Sequence, residues 1–495
     1  MDPVNRESNA LRNIIVAVCW VGLIVGLAAA WKFWWVPRQH ASTEAATSSA
    51  SAYKETITLN ADAFSGYAVL RSPAMAKLLK AQGIKLEVVD DGANYANRMQ
   101  ALKQGDAQMA VFTLDSFLKS GITLGGEFPA TIVAIVDQSN GADGIVAYQT
   151  GLGKLQDLDD ANARIWLLPD SPSEFIARIV VGSLTLPNLP EEGWMQAVGS
   201  QQDVLAKLRA TDPKARAAFA LWEPYLSEAL KVPSVHRLFD SGQCTNCVLD
   251  IIVSRREFLK DHPDAAHAAV EAYFRALYSF TSKPDGMVQL LIEDGKADHV
   301  TPEQAKQLVA GIQWKNVLEN YGHFDLDASA AGVQTLDVLL DYVGKVLLQT
   351  HAIPAYPYKG QANRLYYDGI LRKLKDSGFH PGKQADLVQG FGPGVKDLEP
   401  ARAAATLPAL DDAGWGKLIP VGTAKVAPIG FRRGTSDISE LSRGDLDALA
   451  QNLGQWSQFY VRIVGHARAE GDAAANAALA RDRATAVVQY LAAQG

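Results

Sequence analysis

The sequence is poor in cysteine and has no excess of positive charge. It contains 3 cysteines in 495 residues, and its 47 lysines and arginines are outnumbered by 54 aspartates and glutamates, which gives a formal net charge of -7. Nucleic-acid binding depends on a basic surface, and this composition offers no surplus of basic residues from which to build one. We therefore expect no nucleic-acid partner.

The few cysteines also exclude a zinc ribbon. Cys244 and Cys247 form a C-x-x-C, but a ribbon needs a second such pair, and the remaining Cys19 lies in an apolar run. A thioredoxin-type pair opens a helix, whereas this pair stands in a turn that leads into a predicted strand. In an oxidising compartment, the expectation is a local structural disulfide between Cys244 and Cys247.

Motifs for catalysis and for nucleotide binding are missing as well. No G-x-G-x-x-G follows the first predicted strand, and G-x-x-x-x-G-K-[ST] does not occur, so we expect no nucleotide-phosphate cradle. The 9 histidines are scattered, with no H-E-x-x-H, and no G-x-S-x-G is present. The sequence predicts neither an enzyme nor a bound metal or cofactor.

One apolar run is long enough to span a bilayer. It extends from Ile14 to Trp31 without a charged residue, and an aromatic cluster at Trp31–Trp35 suits the membrane interface. We predict a transmembrane anchor at 13–36 that follows a cytoplasmic N-terminus at 1–12. A cleaved signal peptide stays open as an alternative, because Ala28–Ala30 supplies small residues for cleavage.

A Ser/Thr/Ala-rich tether is predicted at 37–54, and a regular alternation of strands and helices follows it. Alternating apolar positions predict strands at 57–61, 85–89 and 107–112, with helices between them. Strands joined through helices lie parallel, and ligands of such sheets bind beyond the carboxyl ends of the strands. The turns at those ends are therefore the candidate binding site.

The segment "GYAVLRSPAMAKLLKAQGIKLEVVDDGANYANRMQALKQGDAQMAVF" resembles the first lobe of the periplasmic substrate-binding proteins of ABC importers, of the nitrate, sulfonate and taurine type. The strand, polar loop and strand at 131–148 resemble the crossover between the two lobes of that family. The resemblance implies a two-lobed α/β fold of the type II-like periplasmic-binding-protein class at 55–377. It also implies a small-molecule ligand and an ABC permease as partner.

Candidate ligand-binding residues follow from the strand ends and from this resemblance. Ser171 and Glu174 fit a capping box with a proline at the first helical position, and Trp222 stands in a turn that faces the cleft in the family, although a core position fits it equally well. Helix N-termini favour an anion and the acidic residues favour a cation or an amine, so the charge of the ligand stays open. The candidates are Ser65, Gly66, Tyr67, Asn94, Thr113, Asp115, Ser139, Asp143, Ser171, Ser173, Trp222 and Glu223.

The C-terminal part resembles the OmpA-like peptidoglycan-binding domain. A Gly/Pro/Ala-rich linker is predicted at 378–416, and the domain at 417–495. "FRRGTSDIS" resembles the family's first strand and turn, "LDALAQNL" its first helix, "VRIVGHARAEGD" its second strand and loop, and "NAALARDRATAVVQYLAAQG" its second helix. The printed sequence ends before the position of the family's last strand, so the resemblance predicts an α+β domain that is incomplete.

The same resemblance implies a pocket for the diaminopimelate of peptidoglycan. Arg483 stands where the family's arginine takes a carboxylate, whereas Arg468 replaces the aspartate that takes the ammonium group. Asp472 could restore the negative charge. The candidate wall-binding residues are Gly465, His466, Arg468, Asp472, Asn476 and Arg483.

Together these features predict a solute-binding protein with a single-pass anchor in the inner membrane and most of its chain in the periplasm, where it contacts a small-molecule ligand, an ABC permease and peptidoglycan. The alternative is an envelope scaffold or signalling protein whose solute-binding fold holds a protein partner. The two differ in whether a small molecule stabilises the fold.

Overall fold

The computed structural model describes residues 53–327, 333–356, 360–382, 398, 407–456, 458–466 and 470–494. The predicted membrane span at 13–36 lies outside these residues. Within them, none of the helices combines the length and the hydropathy that crossing a bilayer requires.

The strands form two mixed sheets. In the first sheet the strand order is β11-β4-β10-β3-β1-β2, and in the second it is β7-β6-β8-β5-β9. The strands are β1 Glu55–Ala61, β2 Ile84–Asp90, β3 Met109–Thr113, β4 Ala130–Ser139, β5 Asp143–Tyr148, β6 Arg164–Leu167, β7 Met195–Ala197, β8 Ala217–Trp222, β9 Val235–Asp240, β10 Leu249–Arg255 and β11 Ile312–Trp314.

Helices follow the strands in both sheets and continue beyond the second one. They are α1 Ala68–Arg71, α2 Pro73–Ala81, α3 Tyr95–Gln104, α4 Leu114–Thr123, α5 Pro172–Ser183, α6 Gln201–Ala210, α7 Tyr225–Leu230, α8 Arg256–Asp261, α9 Pro263–Thr281, α10 Gly286–Asp294, α11 Pro302–Gly311, α12 Val317–His323, α13 Leu336–Gln349, α14 Gly369–Asp376, α15 Asp412–Lys417, α16 Glu440–Gly454 and α17 Ala473–Ala493.

The first lobe begins with the predicted parallel unit. β1 pairs in parallel with β3, and the intervening helices α2 and α3 cover the sheet. Asn94 caps α3 by accepting a hydrogen bond from the backbone N–H of Asn97 at 3.0 Å. Gly105 ends the same helix with a φ of 86°, a left-handed conformation that glycine adopts without steric cost. Local sequence signals thus set both ends of α3.

The chain passes between the lobes through β4 and β5. β4 lies in the first sheet and β5 in the second, as the strand, loop and strand pattern predicts. The connecting loop is shorter than the predicted 137–144, because residues 137–139 continue β4 and pair with β10 and β11. Asp137 is therefore a buried strand residue, although its polarity suggests a loop.

The predicted capping box at the start of α5 is wrong. The Ser171 hydroxyl donates to the carbonyl of Leu168 at 2.6 Å instead of capping the helix. The Glu174 carboxylate accepts the backbone N–H of Asp170 at 2.6 Å. Asp170, which has a φ of 59°, is the residue before the N-cap Ser171, whereas a capping box requires Glu174 to accept from the N-cap itself.

A disulfide joins Cys244 and Cys247 between β9 and β10, with the sulfur atoms 2.13 Å apart. Both cysteines are buried. The neighbouring Thr245 donates its backbone N–H to the carbonyl of Gln455 at 2.7 Å, and the ring of Trp456 lies 5.5 Å from that of Phe239. The segment after α16 is thus attached to the second lobe.

The C-terminal region contains both predicted helices, as α16 and α17. The predicted first strand is reduced to a single bridge between Phe431 and Ile438, and residues 461–466 of the predicted second strand are not in a strand. Val461 and Val464 stay exposed there. A strand is stable only beside a partner that takes its backbone hydrogen bonds, and among the described residues none pairs with this segment.

The most constrained side chain of the first lobe is Arg98, which is completely buried. Its guanidinium binds Asp91 and Asp62, the latter at 3.0 Å, and donates to the carbonyl of Val111. Replacing it with methionine leaves two carboxylates without their cation.

We expect Arg98→Met to lower the free energy of unfolding by about 3–5 kcal/mol, because breaking a buried ion pair strands the remaining charges. The matched control is Lys103→Met, since Lys103 forms an exposed pair with Glu127 at 2.7 Å and should change stability by less than about 1 kcal/mol. Denaturant unfolding of both variants checks this. Equal losses would contradict the role given to Arg98.

Candidate ligand-binding site

A small cavity lies where the strand ends of the two sheets face each other. Its volume is about 20 Å³, which is room for one water-sized group. Four of the predicted residues meet there, and side chains that the sequence analysis did not select complete the lining. The predicted members are Tyr67, Thr113, Asp143 and Trp222, and the others are Asp62, Phe64, Ala93, Tyr95, Pro172, Val248 and Asp250.

The strand order explains why these residues converge. Thr113 ends β3, and Asp143 begins β5 opposite Trp222 at the end of β8. Asp250 lies in β10, where it pairs with Thr113 on one side and with Asp137 on the other. The cavity therefore receives side chains from both lobes.

Carboxylates dominate the polar part of this site. Asp137, Asp143 and Asp250 are at most 2% exposed. The hydroxyl of Tyr67 donates to Asp250, whereas both oxygens of Asp137 and Oδ1 of Asp143 have no hydrogen-bond donor. Asp137 is held against the backbone of Gly66, where a Cβ would lie 2.4 Å from Oδ2 of Asp137 and only glycine fits.

Burial shifts the acidity of these groups. Desolvation, together with the charges of Asp115 and Glu223, raises the pKa of Asp143 to about 7, against a hydrogen bond with Ser139 that lowers it. Desolvation also raises the pKa of Asp115 to about 6. Burial and the charge of Asp143 raise the pKa of Asp137, against a hydrogen bond with Asp250 that lowers it. Burial and the charges of Asp137 and Asp143 raise the pKa of Asp250.

Aromatic rings form the other wall of the cavity. Phe64 packs edge-on against Tyr67 with ring centroids 5.2 Å apart, and Tyr95 and Trp222 complete this wall. The guanidinium of Arg98 lies 4.8 Å from the centre of the Tyr95 ring. Trp222 is only partly buried.

Cations near the site are held by other carboxylates. Arg98 binds Asp62 and Asp91, as described above. Lys119 contacts Asp170 at 2.6 Å and Glu174 at 2.7 Å. The lining residues of the cavity include no lysine, arginine or histidine.

Several predicted site residues are placed outside the lining. Asn94 caps α3, as described above. The Ser139 hydroxyl is hydrogen-bonded to that of Ser241 at 2.7 Å, and Ser173 accepts a hydrogen bond from Gln201 at 3.1 Å. These side chains hold the fold together around the cavity.

The remaining candidates also serve local structure. Glu223 accepts from the Ser227 hydroxyl at 2.8 Å, and the Gly66 carbonyl accepts from the indole of Trp314 at 2.9 Å. Asp115 is buried in the first turn of α4, Ser171 is bonded to the backbone as described, and Ser65 is half-buried next to Gly66. These candidates surround the cavity without lining it.

Asp250 lines the cavity, and Asp137 is buried beside it in the neighbouring strand without lining the cavity, but both were missed as site residues. An isolated aspartate inside the apolar strand "VLDIIV" is the signal that identifies Asp250, because a carboxylate in a buried strand is costly unless it serves a site. Asp137 follows the apolar run of β4 in the same way. Asp62, Phe64 and Tyr95 have no comparable sequence signal.

The candidate wall-binding residues are also held by local contacts. Arg483 donates from Nε to the carbonyl of Thr435 at 3.0 Å, and its guanidinium lies 4.9 Å from the centre of the Phe431 ring. Asp472 caps α17 through the backbone N–H of Ala475 at 2.9 Å.

The other wall-binding candidates have separate surroundings. Asn476 donates to the carbonyl of Glu470 at 2.7 Å, and Gly465 lies where a Cβ would collide with the backbone of Ala480. His466 is exposed. Arg468 lies outside the described residues.

The chain thus forms two α/β lobes that are joined by crossover strands, with a cavity between their sheets. Residues 430–495 match the model of the OmpA family, which confirms the predicted OmpA-like region. Among curated protein sequences, none matches the chain.

Solved structures of several proteins have a similar fold. The ligand-binding component of an ABC-type import system from Staphylococcus aureus, solved with zinc bound, is 18% identical, with 65% of this chain and 98% of that chain covered and a TM-score of 0.47. The periplasmic aliphatic sulphonate binding protein SsuA from Escherichia coli is 14% identical, with 64% and 99% covered and a TM-score of 0.47. The periplasmic nitrate-binding protein NrtA from Synechocystis PCC 6803 is 14% identical, with 67% and 90% covered and a TM-score of 0.45.

Because the pKa of Asp143 is raised in the folded protein, the free energy of unfolding depends on pH. A carboxyl whose pKa is higher in the folded state stabilises the protein while protonated, and this contribution is lost as the pH rises through the folded-state pKa of about 7. Asp143→Asn removes the effect. We expect the variant to gain stability relative to the original protein between pH 5 and pH 8 by roughly 2–3 kcal/mol, because the original protein loses about 1.4 kcal/mol for each pH unit between pH 5 and the folded-state pKa of about 7.

Chemical denaturation of both proteins at the two pH values, without added ligand, measures this difference. Comparing the two proteins cancels the opposite contribution of His323, whose pKa is lowered to about 4 by burial. A difference that stays constant or shrinks between pH 5 and pH 8 would show that Asp143 is already ionised or compensated at pH 5.

Proposed function

We propose that the two-lobed region captures a small ligand for an ABC importer. The observation that carries this proposal is Oδ1 of Asp143, a buried carboxylate oxygen without a donor that belongs to a cavity between two lobes. Buried polar groups in proteins are almost always satisfied, so an unsatisfied one in a cavity is explained by a partner that binds there. The OmpA-like region gives the protein a second contact, with peptidoglycan.

The cavity volume indicates how such a ligand would enter. About 20 Å³ is far below the volume of ordinary ligand pockets. Capture therefore requires the lobes to separate, and the connections that can bend are those between β4 and β5 and between β9 and β10. Hinge closure around a ligand is the usual behaviour of two-domain binding proteins.

The proposed location is the periplasm, with residues 13–36 as a single-pass anchor in the inner membrane and 1–12 in the cytoplasm. The apolar run and its aromatic border support the anchor. An ABC permease in the same membrane would receive the ligand. Anchoring would keep the binding lobes near that permease at a high effective concentration.

Trp222 provides the test of ligand capture. The full chain would be screened by thermal shift against sulfonates, phosphate, nitrate, amines and amino acids, because a ligand at 100 times its Kd adds about 2.7 kcal/mol to stability. Trp222→Ala should abolish the shift caused by the compound that binds and should lower the Tm of the ligand-free protein only slightly, since this ring is partly exposed.

Trp415→Ala is the matched control, because Trp415 is 38% exposed and lies outside both sheets. It should retain the full ligand-induced shift. If Trp222→Ala instead lowers the free energy of unfolding by several kcal/mol, Trp222 is a core residue and the site assignment is wrong.

A second candidate function is that of a scaffold that binds a protein and no transported ligand. The small closed cavity favours it. A thermal-shift screen in which no compound class stabilises the full chain would decide for the scaffold.

Peptidoglycan binding is tested at Arg483. A guanidinium pairs with a carboxylate through two parallel hydrogen bonds, which lysine cannot reproduce. We expect weak sedimentation of the full-length protein with purified sacculi, abolished by Arg483→Ala. Arg468→Asp should strengthen it, because a cation where the ammonium of the peptide stem should sit is repulsive by about 1 kcal/mol at ~4 Å even in water.

Arg481→Ala, two residues before Arg483 on α17, is the matched control and should sediment as the original protein does. If neither the original protein nor Arg468→Asp sediments, the OmpA-like region is an interaction module without wall-binding function.

A further inference from the structure

The charge of the ligand, which the sequence leaves open, can be inferred from the cavity. Asp143, Asp137 and Asp250 are buried within the reach of one another's charge, since each of the others raises the pKa of Asp250 and Asp143 raises that of Asp137. The cations closest to them are already engaged, Arg98 with Asp62 and Asp91, and Lys315 with Gln138 at 3.0 Å and Glu319 at 3.5 Å. The site thus carries an excess of negative charge.

A proton shared between two of these carboxylates would remove only part of this negative charge. Asp137 and Asp250 are partners in the β4–β10 ladder, and Tyr67 donates to Asp250, so one proton held between these two carboxylates satisfies the pair. Asp143 is outside that arrangement. Its Oδ1 has no donor even after the pair is neutralised, and it belongs to the cavity lining.

Helix N-termini attract negative charge, and several helices begin at lining residues of the cavity. The N-terminus of α3, at Tyr95, is capped by the side chain of Asn94 and has no acidic residue in its first turn. In α4 and α5 an acidic residue stands in the first turn. This residue is Asp115 in α4 and Glu174 in α5, and both are buried. An added anion would meet carboxylates at these positions and no unengaged cation in the lining.

The remaining wall is aromatic. The rings of Phe64, Tyr67 and Trp222 line the cavity beside Asp143. Aromatic faces attract cations through their quadrupole, and combined with a carboxylate they recognise ammonium groups well. The cavity volume of about 20 Å³ accommodates a group of this size, which is close to that of a water molecule.

We propose that the cleft binds an organic cation and seats its ammonium group between Asp143 and the aromatic wall. This inference rests on the proposed ligand-capture function and specifies its substrate class. The Tyr95 ring is left out of the recognition surface because Arg98 already lies on it. Asp143 accepts hydrogen bonds from the ammonium group and neutralises its charge, while Trp222 covers the ammonium group from the second sheet.

The experiment uses the full chain and a low-molecular-weight cell extract separated at pH 7 by ion exchange into cationic, anionic and neutral fractions. Each fraction is tested by thermal shift at pH 8, with and without EDTA. We expect the cationic fraction to raise the Tm by about 2 °C or more, in EDTA as well, and mass spectrometry of the bound compound to find an ammonium group. A shift that EDTA abolishes would assign the site to a metal ion and overturn the proposal.

Asp143→Asn keeps the shape of the side chain and removes its charge. This variant should lose the shift given by the cationic fraction, while its Tm without ligand at pH 8 should be no lower than that of the original protein. Asp264→Asn, at a carboxylate whose side chain is 97% exposed, is the matched control and should keep the shift. A variant Asp143→Asn that retains the shift would overturn the proposal.

The remaining outcomes separate this proposal from the proposed function. A shift produced by the anionic or the neutral fraction, with none from the cationic fraction, would leave ligand capture standing and overturn the cationic ligand. If none of the fractions stabilises the protein, both ligand capture and the cationic ligand are wrong, and the scaffold function remains.

Discussion

The cost of burying carboxylates between two sheets is the constraint on which the site depends. An ionised carboxylate loses its hydration when it is buried and must find donors, a cation or a proton. Asp62 and Asp91 obtain the guanidinium of Arg98, and Glu174 obtains Lys119 and Arg178. These pairs fix the turns around the cavity. Among the described residues, Asp137 and Asp143 have carboxylate oxygens without such a partner, and they lie where β4 and β5 connect the two sheets. The electrostatic cost of burial is therefore concentrated between the lobes.

Much of the first lobe could be predicted because its signals are local. The cap at Asn94, the glycine that ends α3 and the apolar alternation in β1 act within a few residues of chain, and the structure contains each of them. The short strand β11 could not be predicted. Its three residues join the sheet only by pairing with β4, a contact between distant parts of the chain that the helical pattern around it conceals.

The candidate site, too, could be predicted only where the signal is local in the sequence. Tyr67, Thr113, Asp143 and Trp222 follow or precede strands, so the rule that ligands bind at strand ends selects them. Asp250 and Asp137 lie within strands. The place of Asp250 in the cavity, and of Asp137 beside it, depends on strand order and on the pairing of β4 with β10. The predicted C-terminal strands are absent from the described residues for a related reason. A helix forms its backbone hydrogen bonds within itself, whereas a strand needs a neighbouring strand, which the local sequence does not reveal.

Under the proposed capture of a cation, the distribution of these charges between the lobes would link ligand binding to closure. Tyr67 and Asp250 belong to the first sheet and its turns, whereas Asp143 opens the second sheet. Closing the lobes therefore brings like charges together and removes water from between them, which disfavours the closed state of the ionised protein. A bound cation reverses the sign of that interaction, and a ligand shifts a conformational equilibrium only through such a difference in affinity between the two states. An anion would add to the repulsion and favour the open form. The same carboxylates that select the charge of the ligand thus also determine which ligand can close the cleft.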